Sequence, residues 1–183
     1  MATRADALQD AVRGLIDACG LDRQHKDLQG TPARVQALWE DAFLCGYAMD
    51  PAGILSDPVR GEAPTELVVV RDIPFQGMCP HHLLPYIGRA TVAYLPADAL
   101  LGFGRLADLV RCFTARLTLQ ERACNDVVDA LMEHLGARGA GCVMHGEHMC
   151  LRIPEQRHST SVVTSSFRGE MRERVALQDG LFE

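Results

Sequence analysis

The fold class this sequence predicts is α+β: an antiparallel four-stranded sheet with two helices on one face, preceded by N-terminal helices. Three observations lead there. β-Branched or alternating stretches recur at residues 66–73, 87–95, 140–153 and 160–171. Two apolar stripes at helical spacing lie between the second and third of these, and two more helical patterns occupy the first 47 residues. The order strand, strand, two helices, strand, strand lets neighbouring strands pair antiparallel and collects the helices on one side.

Along the chain, Ala7, Val12, Leu15, Ile16 and Cys19 form a loose helical stripe that Gly20 stops. Thr31 reads as the cap of a second helix and Pro32 as part of its first turn, with Val35, Leu38, Trp39, Ala42 and Phe43 continuing it toward Gly46. Pro51, Gly53, Pro58, Gly61 and Pro64 punctuate residues 48–65 too often for regular structure, so this stretch reads as a linker or lid. The run Val68-Val69-Val70 marks a first strand, followed by a turn at Phe75-Gln76-Gly77. The second strand places Thr91, Ala93 and Leu95 on one face and Val92 and Tyr94 on the other. Leu106, Leu109, Val110, Phe113 and Leu117 give one helical stripe, and Ala123, Val127, Val128, Leu131 and Leu135 another, broken by Gly136. A third strand over 140–153 carries an expected kink at Gly146, and a fourth over 160–171 alternates Val162, Thr164 and Ser166 against Val163 and Ser165. The division is therefore an N-terminal helical region at 1–47, the linker or lid at 48–65, and one domain at 66–183.

Composition narrows the function. A chain of 183 residues, 48% hydrophobic, can bury one real core but not two. A net charge of −6 removes the electrostatic drive toward nucleic acid or an anionic membrane, so neither is expected as a partner. No apolar run approaches the roughly 20 residues that cross a bilayer. Seven cysteines, an odd number without an apolar leader, argue against a disulfide framework and for a reducing, cytoplasmic setting.

Two of those cysteines have company. Cys79 and His82 stand at a spacing that lets a thiolate and an imidazole close on one ion, and Cys150 would complete a sulfur-rich divalent site for which zinc is the natural occupant. If 148–150 is extended, His148 and Cys150 face the same way, so His148 and His81 would flank the metal as acid/base groups. Two Cys and one His is the ligand count of catalytic rather than structural zinc. The remaining cysteines, Cys19, Cys45, Cys112, Cys124 and Cys142, read as packing residues.

The order and spacing of Thr31-Pro32-Ala33-Arg34-Val35, Gly46-Tyr47, Cys79-Pro80-His81-His82-Leu83-Leu84-Pro85-Tyr86-Ile87-Gly88, Val92-Ala93-Tyr94-Leu95-Pro96, Gln120-Glu121-Arg122 and His148-Met149-Cys150 resemble the GTP cyclohydrolase I family. The resemblance implies that Cys79, His82 and Cys150 ligate Zn2+, that His81 and His148 are the catalytic imidazoles, and that Glu121, with Gln120 before it, holds the guanine edge of a purine nucleotide. It also implies the tunnelling fold for 66–183, a homo-oligomeric ring with active sites between subunits, and a reaction in which water adds at C8 of GTP. That carbon leaves as formate, and the product recloses as 7,8-dihydroneopterin triphosphate.

Departures from the family pattern bear on the substrate. Pro80 stands where a Glu is usual, stiffening the loop. The usual Gly-Leu-Ser-Lys and a following Arg become Gly102-Phe103-Gly104-Arg105 and Asp108, which leaves Arg105 to meet phosphate. Pro154 and Glu155 replace a further Arg region, with Arg152, Arg157 and Arg168 near enough in sequence to substitute. Two alternatives follow: a paralogue acting on a non-triphosphorylated purine or related heterocycle, and a non-catalytic oligomeric scaffold that zinc merely stabilises. The retention of both His81 and His148 weighs against the second.

Overall fold

The computed structural model describes residues 3–61, 66–153 and 160–182. Helix α1 (Arg4–Ala18) starts at a capping box in which Thr3 and Asp6 exchange side-chain and backbone hydrogen bonds. It packs on α2 (Thr31–Leu38). Gly30 rather than Thr31 caps α2; Thr31 is its first helical residue, and Pro32 sits in the first turn, where no N–H is needed. The regular helix stops at Leu38 and loosens into a π turn (Trp39–Phe43) and a 3-10 turn (Cys45–Ala48). Gly46 explains the change: a Cβ there would lie 2.5 Å from the carbonyl of Cys112 and 2.8 Å from that of Ala115, so the chain approaches backbone to backbone.

Residues 48–61 are not the structureless linker or lid that their Pro and Gly content suggests. Asp50 caps a short helix α3 (Pro51–Ile54), Leu55 is buried in the core, and β1 (Val59–Arg60) pairs with β4 (Ala99–Leu100). Two buried aliphatic side chains, Ile54 and Leu55, hold the stretch where local propensity would not. The end of that stretch, residues 62–65, lies outside the described residues.

The main sheet has the antiparallel order β2-β3-β5-β6, made of β2 (Val68–Met78), β3 (Pro85–Leu95), β5 (Gly139–His148) and β6 (Val162–Gly169). β2 runs five residues past its expected end, because Phe75, Gln76 and Gly77 pair in register with Gly88, Ile87 and Tyr86 instead of turning. Gly77 is there for space: a Cβ would lie 2.4 Å from the Tyr86 ring. A bulge between Val70 and Ile73 puts Asp72 at φ 55° and twists the strand.

Helices α4 (Phe103–Thr114) and α5 (Gln120–Ala130) cover one face of this sheet, α4 against β2 and α5 against β5 and β6. Leu106, Leu109, Val110, Val127, Val128 and Leu131 meet Val92, Tyr94 and Met144 there, and burying side chains of this size contributes about 1.5–3 kcal/mol each. The other face carries a smaller cluster of Ala93, Leu95, Val143, Met171 and Leu181, closed by α7 (Glu170–Glu173) and the C-terminal turns. Beyond that cluster Ile87 and Val163 are exposed.

β5 ends at His148, and residues 149–152 form a helical turn, α6 (Met149–Arg152), rather than the continuing strand. No kink occurs at Gly146; β5 holds register with β3 from Leu95↔Gly139 to Tyr86↔His148. β6 starts at Val162 and ends at Gly169, whose φ of 56° turns the chain into α7. No helix among the described residues is long and apolar enough to cross a membrane.

Candidate metal and proton-transfer site

The connection from β2 to β3 is a six-residue loop, 79–84, closed at its neck. The Cys79 N–H donates to the Leu84 carbonyl at 2.9 Å, and the Leu83 N–H donates to the Cys79 carbonyl at 2.9 Å. Closure forces Leu83 to φ 51°, a left-handed conformation that costs a non-glycine residue about 1–2 kcal/mol. Within the loop Cys79 is buried, while His81 and His82 are exposed with their rings edge to face, centroids 6.2 Å apart.

Cys150 reaches this loop from α6. Tyr86↔His148 is the last pair of the β3–β5 ladder, so the turn after His148 lies beside the start of β3. One donor atom each from Cys79, His82 and Cys150 falls within 4.8 Å of the others. A tetrahedral zinc with bonds of about 2.3 Å to sulfur and about 2.0–2.1 Å to nitrogen separates those two donors by about 3.6 Å. Cys79 Sγ and His82 Nδ1 stand 3.6 Å apart. The donor set and its spacing therefore fit such an ion. Burial, then the neighbouring Cys79, raises the Cys150 thiol above its ordinary value.

His148 closes β5 and lies flat against Tyr86, ring centroids 4.8 Å apart and planes 16° from parallel. The Tyr86 hydroxyl donates to the Thr118 carbonyl at 3.2 Å. Burial, followed by the nearby Cys79 and Glu121 charges, pushes its pKa far above the ordinary phenol range, so the phenol stays neutral. The other His148 contact is from Nε2 to Gln120 Oε1, 2.9 Å. Burial lowers the His148 pKa, and the Glu121 carboxylate partly opposes this.

Gln120 and Glu121, adjacent at the start of α5, have different surroundings. Gln120 is fully buried, with Nε2 donating to the carbonyls of Met144 (3.0 Å) and Val162 (3.2 Å) and to Thr164 Oγ1 (3.0 Å). Glu121 is exposed in the first turn, where a helix N-terminus favours an anion, and its charge is felt at both His148 and Tyr86.

Arg105 is exposed in the first turn of α4, and Asp108 is exposed one turn on. Among the described residues Arg105 makes no ion pair and no side-chain hydrogen bond, so the geometry joins it to none of the residues above. Arg152 pairs with Glu147, and Arg168 pairs with Asp129 at 2.9 Å. Pro154, Glu155 and Arg157 lie outside the described residues. Tyr86 is the member of the cluster that sequence reasoning did not single out. The alternation that puts Val92 and Tyr94 on the helix side extends back through Ala90 and Gly88 to Tyr86, and that was its signal.

A family model for GTP cyclohydrolase I matches residues 8–183. The GTP cyclohydrolase 1 of Campylobacter lari is 38% identical over 166 residues, covering 90% of this chain and 86% of the relative. That of Ralstonia nicotianae is 39% identical over 176 residues, covering 93% and 82%, and that of Deinococcus radiodurans 37% over 167 residues, covering 90% and 76%. Among solved structures, the apo form of an archaeosine synthase QueF-Like protein superposes with a TM-score of 0.49 at 16% identity, over 59% of this chain and 97% of that one.

Proposed function

This chain belongs to the GTP cyclohydrolase I family, and on that premise we propose that it is a zinc-dependent hydrolase that opens the imidazole ring of a purine nucleotide at C8 and releases that carbon as formate. The observation that carries the reading is the convergence of Cys79, His82 and Cys150 donors beside a His148 already held on two sides. In the standard form of the reaction the substrate is GTP and the product 7,8-dihydroneopterin triphosphate.

Cys79, His82 and Cys150 hold the ion, and zinc so bound supplies the Lewis acidity that makes water a nucleophile near neutral pH. His148 and the exposed His81 exchange protons with the reacting water and ring nitrogens, the task to which imidazole is best matched near pH 7. Glu121 accepts the paired N–H groups of the guanine edge, and Arg105 meets phosphate. The catalytic unit spans 66–183 and takes the tunnelling fold. Among the described residues both edge strands of the sheet, β2 and β6, pair on one side only, and Ile87 and Val163 are exposed on its outer face. These features support a homo-oligomeric ring in which further subunits continue the sheet, with active sites at the interfaces.

A second reading, a substrate carrying fewer phosphates, is favoured by the exposed carboxylate of Asp108 one turn from Arg105. Formate release from GTP, GDP, GMP, guanosine and guanine by the purified protein separates the two. Formate from GTP, with the guanine-ring absorbance lost, is the expected result. No formate from any of the five would refute the hydrolase.

A further inference from the structure

The Gln120 amide can stand in one orientation only. Its nitrogen faces the carbonyl oxygens of Met144 and Val162, which can only accept. Turning the amide over would set Oε1 against both with no proton between them, in a place shielded from water where an unmade hydrogen bond carries its full cost. Oε1 is thereby committed to His148, and as an amide oxygen it too can only accept. A neutral imidazole at 148 must then carry its proton on Nε2. Nδ1 is left with the lone pair.

The ring cannot escape by flipping. Tyr86 stacks on its face and is itself tied to the Thr118 carbonyl, so a rotated imidazole would lose the bond to Oε1 while keeping the stack. Gly146 completes the arrangement from below: a Cβ at that position would lie 2.0 Å from Gln120 Oε1, so only glycine leaves room for the amide.

We propose that Gln120 is a positioning residue, not a contact to the purine: through the fixed orientation of its amide it holds His148 as the Nε2–H tautomer and makes Nδ1 the nitrogen that exchanges protons. The catalytic part rests on the hydrolase reading given above. In that reaction Nδ1 takes one proton from the attacking water as its oxygen bonds to C8 and the C8=N double bond becomes single, and gives it to the nitrogen that gained the electron pair. The other C8–N bond then breaks as the remaining hydroxyl proton passes to its nitrogen, leaving a formyl group that a second water releases as formate. The imidazole ends as it began. Nε2–H stays bonded to Oε1 throughout, and a carbonyl oxygen that cannot take that proton is the partner suited to an imidazole that charges and discharges at its other nitrogen.

The test has two arms on the metal-loaded protein as purified. Nitrogen NMR of 15N-histidine-labelled protein, sedimented so that particle size is no obstacle, reports which ring nitrogen of His148 is protonated, with the resonance assigned by its loss in His148→Gln. A protonated Nε2 and bare Nδ1 in the neutral ring are expected, and a protonated Nδ1 overturns the proposal whether or not the protein is active. In the kinetic arm, Gln120→Leu should lower kcat for formate release by roughly 10²-fold, the lower range for a lost acid–base contribution, with KM within about threefold. A raised KM at nearly unchanged kcat would mean that Gln120 binds the purine instead, and unchanged constants would mean that it does neither. If Gln120→Leu does not fold, the wild-type spectrum alone decides. If the wild-type protein releases no formate from any purine, the hydrolase reading fails while the spectrum still judges the tautomer.

Discussion

Replacing Gly146 by Ala tests the packing beneath the site at a residue that is itself chemically inert. The added Cβ would lie 2.0 Å from Gln120 Oε1, where contacts under 3.0 Å essentially never occur, so the oxygen must retreat by about 1 Å. A retreat straight away from the Cβ carries Oε1 nearly at right angles to its 2.9 Å bond to His148 Nε2, which itself lies 3.4 Å from that Cβ, so the bond lengthens by only about 0.2 Å and survives. The shift instead drags Gln120 Nε2 off at least one of its three acceptors. One buried group left unpaired costs about 1–3 kcal/mol, and the backbone entropy recovered by Gly→Ala in a strand returns about 0.5–1 kcal/mol. The net expectation is a loss of about 1 kcal/mol, and at most about 2.5 kcal/mol. At about 2–4 °C per kcal/mol for a chain of this length, that is a fall in Tm of roughly 2–10 °C by circular dichroism. Formate release below the transition should fall little, since His148 keeps the bond that orients it. A Gly146→Ala protein melting within about 1 °C of wild type would show that Gln120 is not fixed where the geometry puts it.

Three further outcomes follow from local backbone geometry and charge. Leu83 sits at φ 51°, so Leu83→Gly should leave the urea midpoint unchanged or slightly raised, while Leu83→Val, which cannot tolerate that φ, should cost more than about 1 kcal/mol; equal stability of the two would mean that the loop relaxes. Burial raises the Asp126 pKa above its usual 3.8, the nearby Arg116 and Arg122 opposing, so the proton is held more tightly in the folded chain and stability drops as pH rises through the folded pKa. Asp126→Asn should therefore melt higher than wild type at pH 7 and equal to it below about pH 3.8, and a gap that widens in acid would reverse the sign of this argument. Each charge change at Asp108 is worth on the order of 1 kcal/mol in a partly screened pocket, so Asp108→Arg combined with Pro154→Arg should lower the KM for GTP severalfold. A low micromolar KM in the unmodified protein, or no gain in the double variant, would show that the triphosphate is gripped elsewhere.

Legibility in the sequence followed periodicity. Ala93 and Leu95 against Val92 and Tyr94 divide between the two clusters because a two-residue period survives along eleven paired residues of β3. The stripes of α4 and α5 emerge for the same reason at period 3.6. Glycine misled where it serves space rather than turning: Gly77 admits the Tyr86 ring and Gly146 admits the Gln120 amide, yet both look like turns or kinks in one dimension. The α3 segment was hidden because two buried side chains, Ile54 and Leu55, outweigh the breakers around them. α6 has only four residues, too few to show any period, so Cys150 comes to Cys79 by a helical turn and not by the strand alternation that pairs it with His148 in sequence. The meeting of Cys79, His82 and Cys150 was legible from the Cys-x-x-His spacing and the later Cys; the stack of His148 on Tyr86 needed the β3–β5 register.

The proposed hydrolase depends above all on the three donors near the loop at 79–84, and metal content read together with turnover examines them directly. Elemental analysis of the purified protein should give one zinc per chain. Cys150→Ser should lose most of that zinc and its formate release together, while Cys112→Ala, whose thiol is buried on α4, should keep both. Full zinc occupancy in Cys150→Ser, or undiminished formate release from a chain stripped of metal, would contradict the account.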